Sequence, residues 1–90
     1  MNWRVVFTPK AERDLKRLPE ADKQRIKDEM TALAEEPYPR LYVKKLEGYR
    51  NTPIYALRVG RYRVILTIED DVMVIFVIEI GNRSKVHRRY

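Results

Sequence analysis

Two stretches of this 90-residue chain concentrate side chains able to do chemistry. YALRVGRYRV, residues 55–64, carries Arg58, Arg61 and Arg63, and the closing EIGNRSKVHRRY, residues 79–90, follows Gly81 with Arg83, Lys85, His87, Arg88, Arg89 and Tyr90. Arginine keeps its charge at any physiological pH, and its planar guanidinium matches the geometry of phosphate oxygens. His87 is the sole histidine, and its side chain type is the one whose ordinary pKa suits proton transfer near neutrality. Cysteine is absent, which excludes a disulfide framework and a thiolate metal site. One histidine with scattered carboxylates does not make a zinc site, so no metal and no other cofactor is expected.

The distribution of charge narrows the partner. The net charge is +6, yet residues 1–39 are neutral, with eight basic and eight acidic side chains. Residues 40–63 carry seven basic residues, Lys44 and Lys45 among them, against Glu47 alone, and residues 81–90 carry four with no acid. Such focusing favours a polyanion, with nucleic acid ahead of an acidic protein segment. No apolar run approaches the ~18 residues of a membrane span, and the N-terminus lacks the apolar core of a signal peptide. The expectation is a single domain, residues 1–90, soluble and cytoplasmic.

The elements that must position these residues follow from periodicity. Trp3, Val5 and Phe7 alternate in a short strand that stops at Thr8-Pro9. Thr8 is placed to cap a helix from about 9 to 18, with Pro9 in its first turn and Glu12 favoured by the helix dipole. Pro19 interrupts that helix and starts a second one reaching about Glu36, with Ile26, Met30 and Leu33 on one stripe. From residue 43 the period becomes two, through YVKKLEG, PIYALRVG, RYRVILTIED and DVMVIFVIEIG, with turns at Gly60 and at Glu69-Asp70-Asp71. The predicted fold class is α+β, ordered β-α-α-β-β-β, with a helical hairpin on one face of a twisted, mainly antiparallel sheet. Alternation puts Tyr55, Leu57 and Val59, and Tyr62, Val64, Leu66 and Ile68, toward the helices. Arg58 and Arg63 then share the opposite face, on adjacent strands.

These residues resemble the RelE/ParE toxin superfamily across nearly the whole chain. The proline-broken helical hairpin, the block KKLEG…YALRVGRYRVI and the final IGNRSKVH, similar to the family's I-G-H-R-x-x-V-Y, carry the likeness. Resemblance to the RelE branch implies the toxin of a type II toxin–antitoxin pair. Such a toxin is a metal-independent, ribosome-dependent endoribonuclease that cuts mRNA in the A site and is silenced by a cognate antitoxin. It implies Arg63 and Arg83 as contacts to the scissile phosphate and Arg58 where that branch often has a catalytic lysine. His87 stands where the family has a functional tyrosine, and Ala56 where the branch commonly has a basic residue; both are departures.

Attack of a ribose 2′-hydroxyl on phosphorus requires a proton acceptor, charge stabilisation on phosphate and a proton donor to the leaving 5′-oxygen. Arg63, Arg83 and Arg58 suit the second requirement, and His87 suits proton transfer. Lys44, Lys45, Arg61, Lys85, Arg88, Arg89 and Tyr90 are the expected footing on mRNA and ribosomal RNA, and the tail is expected to bring Arg83 and His87 beside Arg58 and Arg63. Lys44 and Lys45 are equally read as edge-strand protection against aggregation. Two other readings stay open: a ParE-like inhibitor of DNA gyrase, and a catalytically weak module that binds RNA or antitoxin.

Overall fold

Thr8 and the two prolines punctuate the N-terminal half as their chemistry dictates. Thr8 has extended backbone, and its hydroxyl accepts the Ala11 N–H at 3.2 Å while donating to the Ile78 carbonyl at 3.2 Å. It thus caps one helix and ties that helix to a strand 70 residues away. The computed structural model describes residues 2–46 and 53–83. In it β1 (Arg4–Phe7) leads to α1 (Pro9–Lys16) and α2 (Glu20–Glu35). A 3-10 turn (Pro39–Tyr42) then leads to β2 (Lys44–Lys45), β3 (Tyr55–Val59), β4 (Tyr62–Glu69) and β5 (Val74–Asn82).

The sheet runs β1-β5-β4-β3-β2, with β1 parallel to β5 and every other pair antiparallel. Helix α1 ends two residues before the expected Leu18 because Arg17 already caps it, and Pro19 is the N-cap of α2 instead of its first helical residue. YVKKLEG contributes only Lys44–Lys45, a two-residue edge strand and the shortest of the five in the sheet. Pro39 starts the 3-10 turn that precedes it, since its fixed φ suits a first helical position.

Side chains sort as period two requires. Tyr55, Val59, Tyr62, Val64, Leu66 and Ile68 join Ala11, Leu15, Ile26, Met30 and Leu33 in the core between sheet and helices. Ile26 and Met30, one helical turn apart and fully buried, are the centre of that contact. Truncating either to Ala would cost about 2–5 kcal/mol. The other face carries a smaller apolar cluster of Leu46, Ala56 and Ile65 with Ile54 and Ile78, beside the arginines. Gly60 makes the β3–β4 turn with φ +58°, where a side chain is strained and glycine is not.

Candidate functional site

The face opposite the helices is built in rows across the strands. Arg58 on β3 lies directly opposite Arg63 on β4, and Arg63 lies opposite Gly81 on β5. One row further along the strands, Lys44, Ala56, Ile65 and Glu79 stand in line across β2, β3, β4 and β5. Arg58 is exposed and Arg63 half-buried, with the side-chain-free Gly81 flanking Arg63.

A β-bulge sets the last row. Ile65 pairs with Glu79 while the next residue, Leu66, pairs with Val77, so Ile78 is the extra residue. Strict alternation from Val77 would send Glu79 into the helix-facing core. The bulge turns it to Ile65's side and leaves Ile80 to fill that core. Glu79 is 7% exposed, a carboxylate diagonal to Arg63 on the adjacent strand, on the face that further across the sheet also carries Arg58 and Lys44. Buried carboxylates persist where such partners offset their desolvation.

Helix α1 holds the bulged strand in place. Past the end of β1, the Thr8 N–H donates to the Val77 carbonyl at 3.0 Å and the Thr8 hydroxyl to Ile78. Asp14, buried, accepts the Ile80 N–H at 3.0 Å on one carboxylate oxygen and Lys10 Nζ at 2.8 Å on the other. The backbone of β5 is therefore satisfied by Thr8 and Asp14 where its neighbour strand has stopped. The chain stays attached as it leaves the sheet, with the Arg83 N–H donating to the Arg61 carbonyl at 3.0 Å.

The predicted site residues separate into groups. Arg58, Arg63 and Lys44 share the open face, with Arg83 anchored through its backbone at the same end of β4. Lys45 pairs with Tyr55 and so points with it to the helix side. Arg61 also turns to the helices, where its guanidinium donates to Tyr62 Oη at 3.2 Å and to Asp22 Oδ2 at 3.3 Å. The Tyr62 hydrogen bond, with Asp22 adding to it, raises the Arg61 pKa above its already high ordinary value. Lys85, His87, Arg88, Arg89 and Tyr90 lie outside the described residues. Tyr55 and Tyr62 are core residues with anchored hydroxyls: Tyr55 Oη accepts Arg40 Nε at 3.0 Å and Tyr62 Oη donates to Asp22 at 2.7 Å.

Two features escape a sequence reading. Glu79 sits in the apolar run Val74–Asn82, and only the bulge, a three-dimensional event, assigns its face. Arg40 reaches across from the 3-10 turn to a bidentate pair with Asp70 in the β4–β5 turn, 30 residues on. That guanidinium holds the Asp70 carboxyl below the usual carboxylate range. Among the described residues there is no cluster of three or more His, Cys, Asp or Glu side chains able to hold a metal ion. No helix among them is long and apolar enough to cross a membrane.

The sequence matches, over residues 5–87, the family described as the ParE toxin of the type II toxin–antitoxin system parDE. The chain belongs to the RelE/ParE toxin family. Solved structures agree with this membership. The archaeal RelE–RelB complex from Pyrococcus horikoshii OT3 contains a chain 32% identical, with a TM-score of 0.77, covering 94% of this chain and 99% of that one. The RelBE2 toxin–antitoxin complex from Mycobacterium tuberculosis contains one 25% identical at TM-score 0.81, covering 93% and 94%. The isolated E. coli RelE toxin, 23% identical with a TM-score of 0.73 over 97% and 93% of the two chains, shares the fold. A comparison with curated proteins found no match. The chain is thus a toxin of a type II toxin–antitoxin system, with two helices packed on a five-stranded, mostly antiparallel sheet.

Proposed function

We propose that this RelE/ParE-family toxin is a ribosome-dependent endoribonuclease that cleaves mRNA without a metal. The observation that carries the reading is the Arg58–Arg63 pair, two fixed cations facing each other on the helix-free side of the sheet. Juxtaposed like charges are unfavourable in a sheet. A bound phosphodiester, whose non-bridging oxygens accept from both guanidinium groups, adds a further anion to this face, which carries more basic side chains than the one carboxylate of Glu79. Charge grows on those same oxygens as the 2′-oxygen attacks, so donors fixed there stabilise the transition state more than the ground state. Arg83 is the third cation of this set. Arginine does not accept the 2′-hydroxyl proton at neutral pH, and the sequence assigns proton transfer to His87.

A cognate antitoxin is the second part of the reading. The P. horikoshii and M. tuberculosis structures are complexes of toxin with antitoxin, and a chain of net charge +6 suits a partner of opposite sign. The antitoxin covers the basic face or displaces the basic tail.

Pulse labelling after induction tests the function. Protein synthesis stops first if mRNA is the target. Arrest of DNA synthesis while translation continues would favour gyrase, the target associated with the ParE branch whose family description the sequence matches.

A further inference from the structure

At the tip of the β3–β4 hairpin, away from the Arg58–Arg63 face, lies an open polar pocket of about 240 Å³ lined by Asp22, Arg25, Val59, Gly60, Arg61 and Tyr62. Its geometry points to a second phosphate-binding subsite, and we propose that Arg25 and Arg61 grip an RNA phosphodiester there, next to the strand held for cleavage. The inference rests on the RNA reading above and extends it to a surface that reading does not use.

Three observations carry it. First, the Arg25 side chain makes no hydrogen bond or ion pair among the described residues, so its guanidinium keeps all its donors. It lies close against the turn: a Cβ on Gly60 would stand 3.0 Å from Arg25 Nη1. Second, Arg61 is pre-oriented from behind. Its Nε and Nη2 bond Tyr62 Oη, and Nη2 also reaches Asp22, while Nη1 takes part in none of these contacts. The guanidinium also stacks over the Tyr62 ring, 5.3 Å from its centroid. Third, the lining carries two cations and one anion, and Asp22 is engaged by the Tyr62 hydroxyl at 2.7 Å. The remaining single positive charge matches one phosphodiester.

Position supports the assignment. Arg61 stands two residues before Arg63, about 7 Å along the strand, and its carbonyl holds the Arg83 N–H. A polynucleotide crossing the open face at Arg63 therefore passes the tip within a nucleotide or two. Asp22 gives the subsite a diagnostic sign, because its carboxylate competes with phosphate for Arg61 while fixing that side chain's orientation.

The test is equilibrium binding to ribosomes programmed with an mRNA whose cleavage-site ribose is 2′-O-methylated, so that nothing is cut, measured between 50 and 200 mM salt. Arg25→Gln should weaken binding roughly threefold to tenfold and reduce the logarithmic salt slope by about one, and Arg25→Lys should restore the slope. Asp22→Asn should strengthen binding at low salt by more than Glu35→Gln, which removes an exposed carboxylate at the far end of the same helix and controls for net charge. Thermal unfolding of each variant verifies that it is folded. If the wild type binds with a steep salt dependence but Arg25→Gln and Asp22→Asn match it, the subsite is wrong and the RNA reading stands. If the wild type shows no salt-dependent binding at all, both fall together.

Discussion

Arg58 and Arg63 are directly opposed residues on β3 and β4, two guanidinium-bearing side chains in one antiparallel pair. A sheet optimised for stability alone would place opposite charges or apolar groups there, since directly opposed like charges are destabilising. Replacing Arg58 by Thr, a good strand former, should therefore raise unfolding free energy by about 0.2–1 kcal/mol while lowering cleavage. Denaturant unfolding and ribosomal cleavage measured on the same preparation check the pair of outcomes; a variant that loses both contradicts the functional account of the repulsion.

Asp14 should matter more for the site than its position on a helix implies. Asp14→Ala leaves the Ile80 N–H without its acceptor at the bulged end of β5, and an orphaned buried donor costs about 1–3 kcal/mol. Hydrogen exchange should show the Ile80 amide losing protection while amides in the middle of β4 keep theirs. Equal loss throughout the sheet would mean that Asp14 serves global stability only.

The Arg40–Asp70 pair predicts a pH effect of known sign. Arg40 depresses the Asp70 carboxyl in the folded state, so the pair's contribution is fully present above the ordinary Asp value of about 3.9. It is lost as pH falls further, through the depressed folded-state value. Both side chains are about half exposed, which limits the contribution to about 1 kcal/mol or less. Asp70→Asn should be less stable than the wild type at pH 7, with the gap closing under acid. A gap independent of pH would assign the loss to packing instead.

How far the sequence discloses this molecule depends on whether a feature is local. The Thr8 cap, the Pro19 break, the Gly60 turn and the two faces of β3 and β4 are written in neighbouring residues, because capping, φ restriction and period two act over a few positions. So is the opposition of Arg58 and Arg63, once a two-residue hairpin fixes the register. Glu79 is not legible, because its face is set by the bulge at Ile78, which lies where Thr8 and Asp14, far away in sequence, bond the edge of β5. The Arg40–Asp70 pair and the Arg25–Gly60 contact join residues far apart in sequence, with no local signal for either. Arg61, which looks equivalent to Arg63 in RYR, is drawn to the helices by Asp22, a residue on α2.

His87 carries the expectation of proton transfer. His87→Ala should reduce single-turnover cleavage on programmed ribosomes about 100- to 10,000-fold and remove a limb of the pH profile between about pH 6 and 8, where histidine ordinarily titrates. His87→Tyr, the residue that the family pattern has there, should recover part of the rate. An unchanged profile for His87→Ala would leave the tail as an electrostatic anchor.

Primer extension on a single mRNA held in stalled ribosomes, comparing the wild type with Arg63→Ala in the absence and presence of EDTA, tests the central claim most directly. The wild type should generate a discrete new 5′ end at the A-site codon, in a reaction that chelator does not abolish once the ribosomes are kept intact by polyamine. Arg63→Ala should give the same end about 100-fold or more slowly, the loss typical of removing one electrostatic donor to a transition state, with an unaltered pH profile. No cleavage by the wild type, or cleavage by Arg63→Ala at the wild-type rate, would contradict the account.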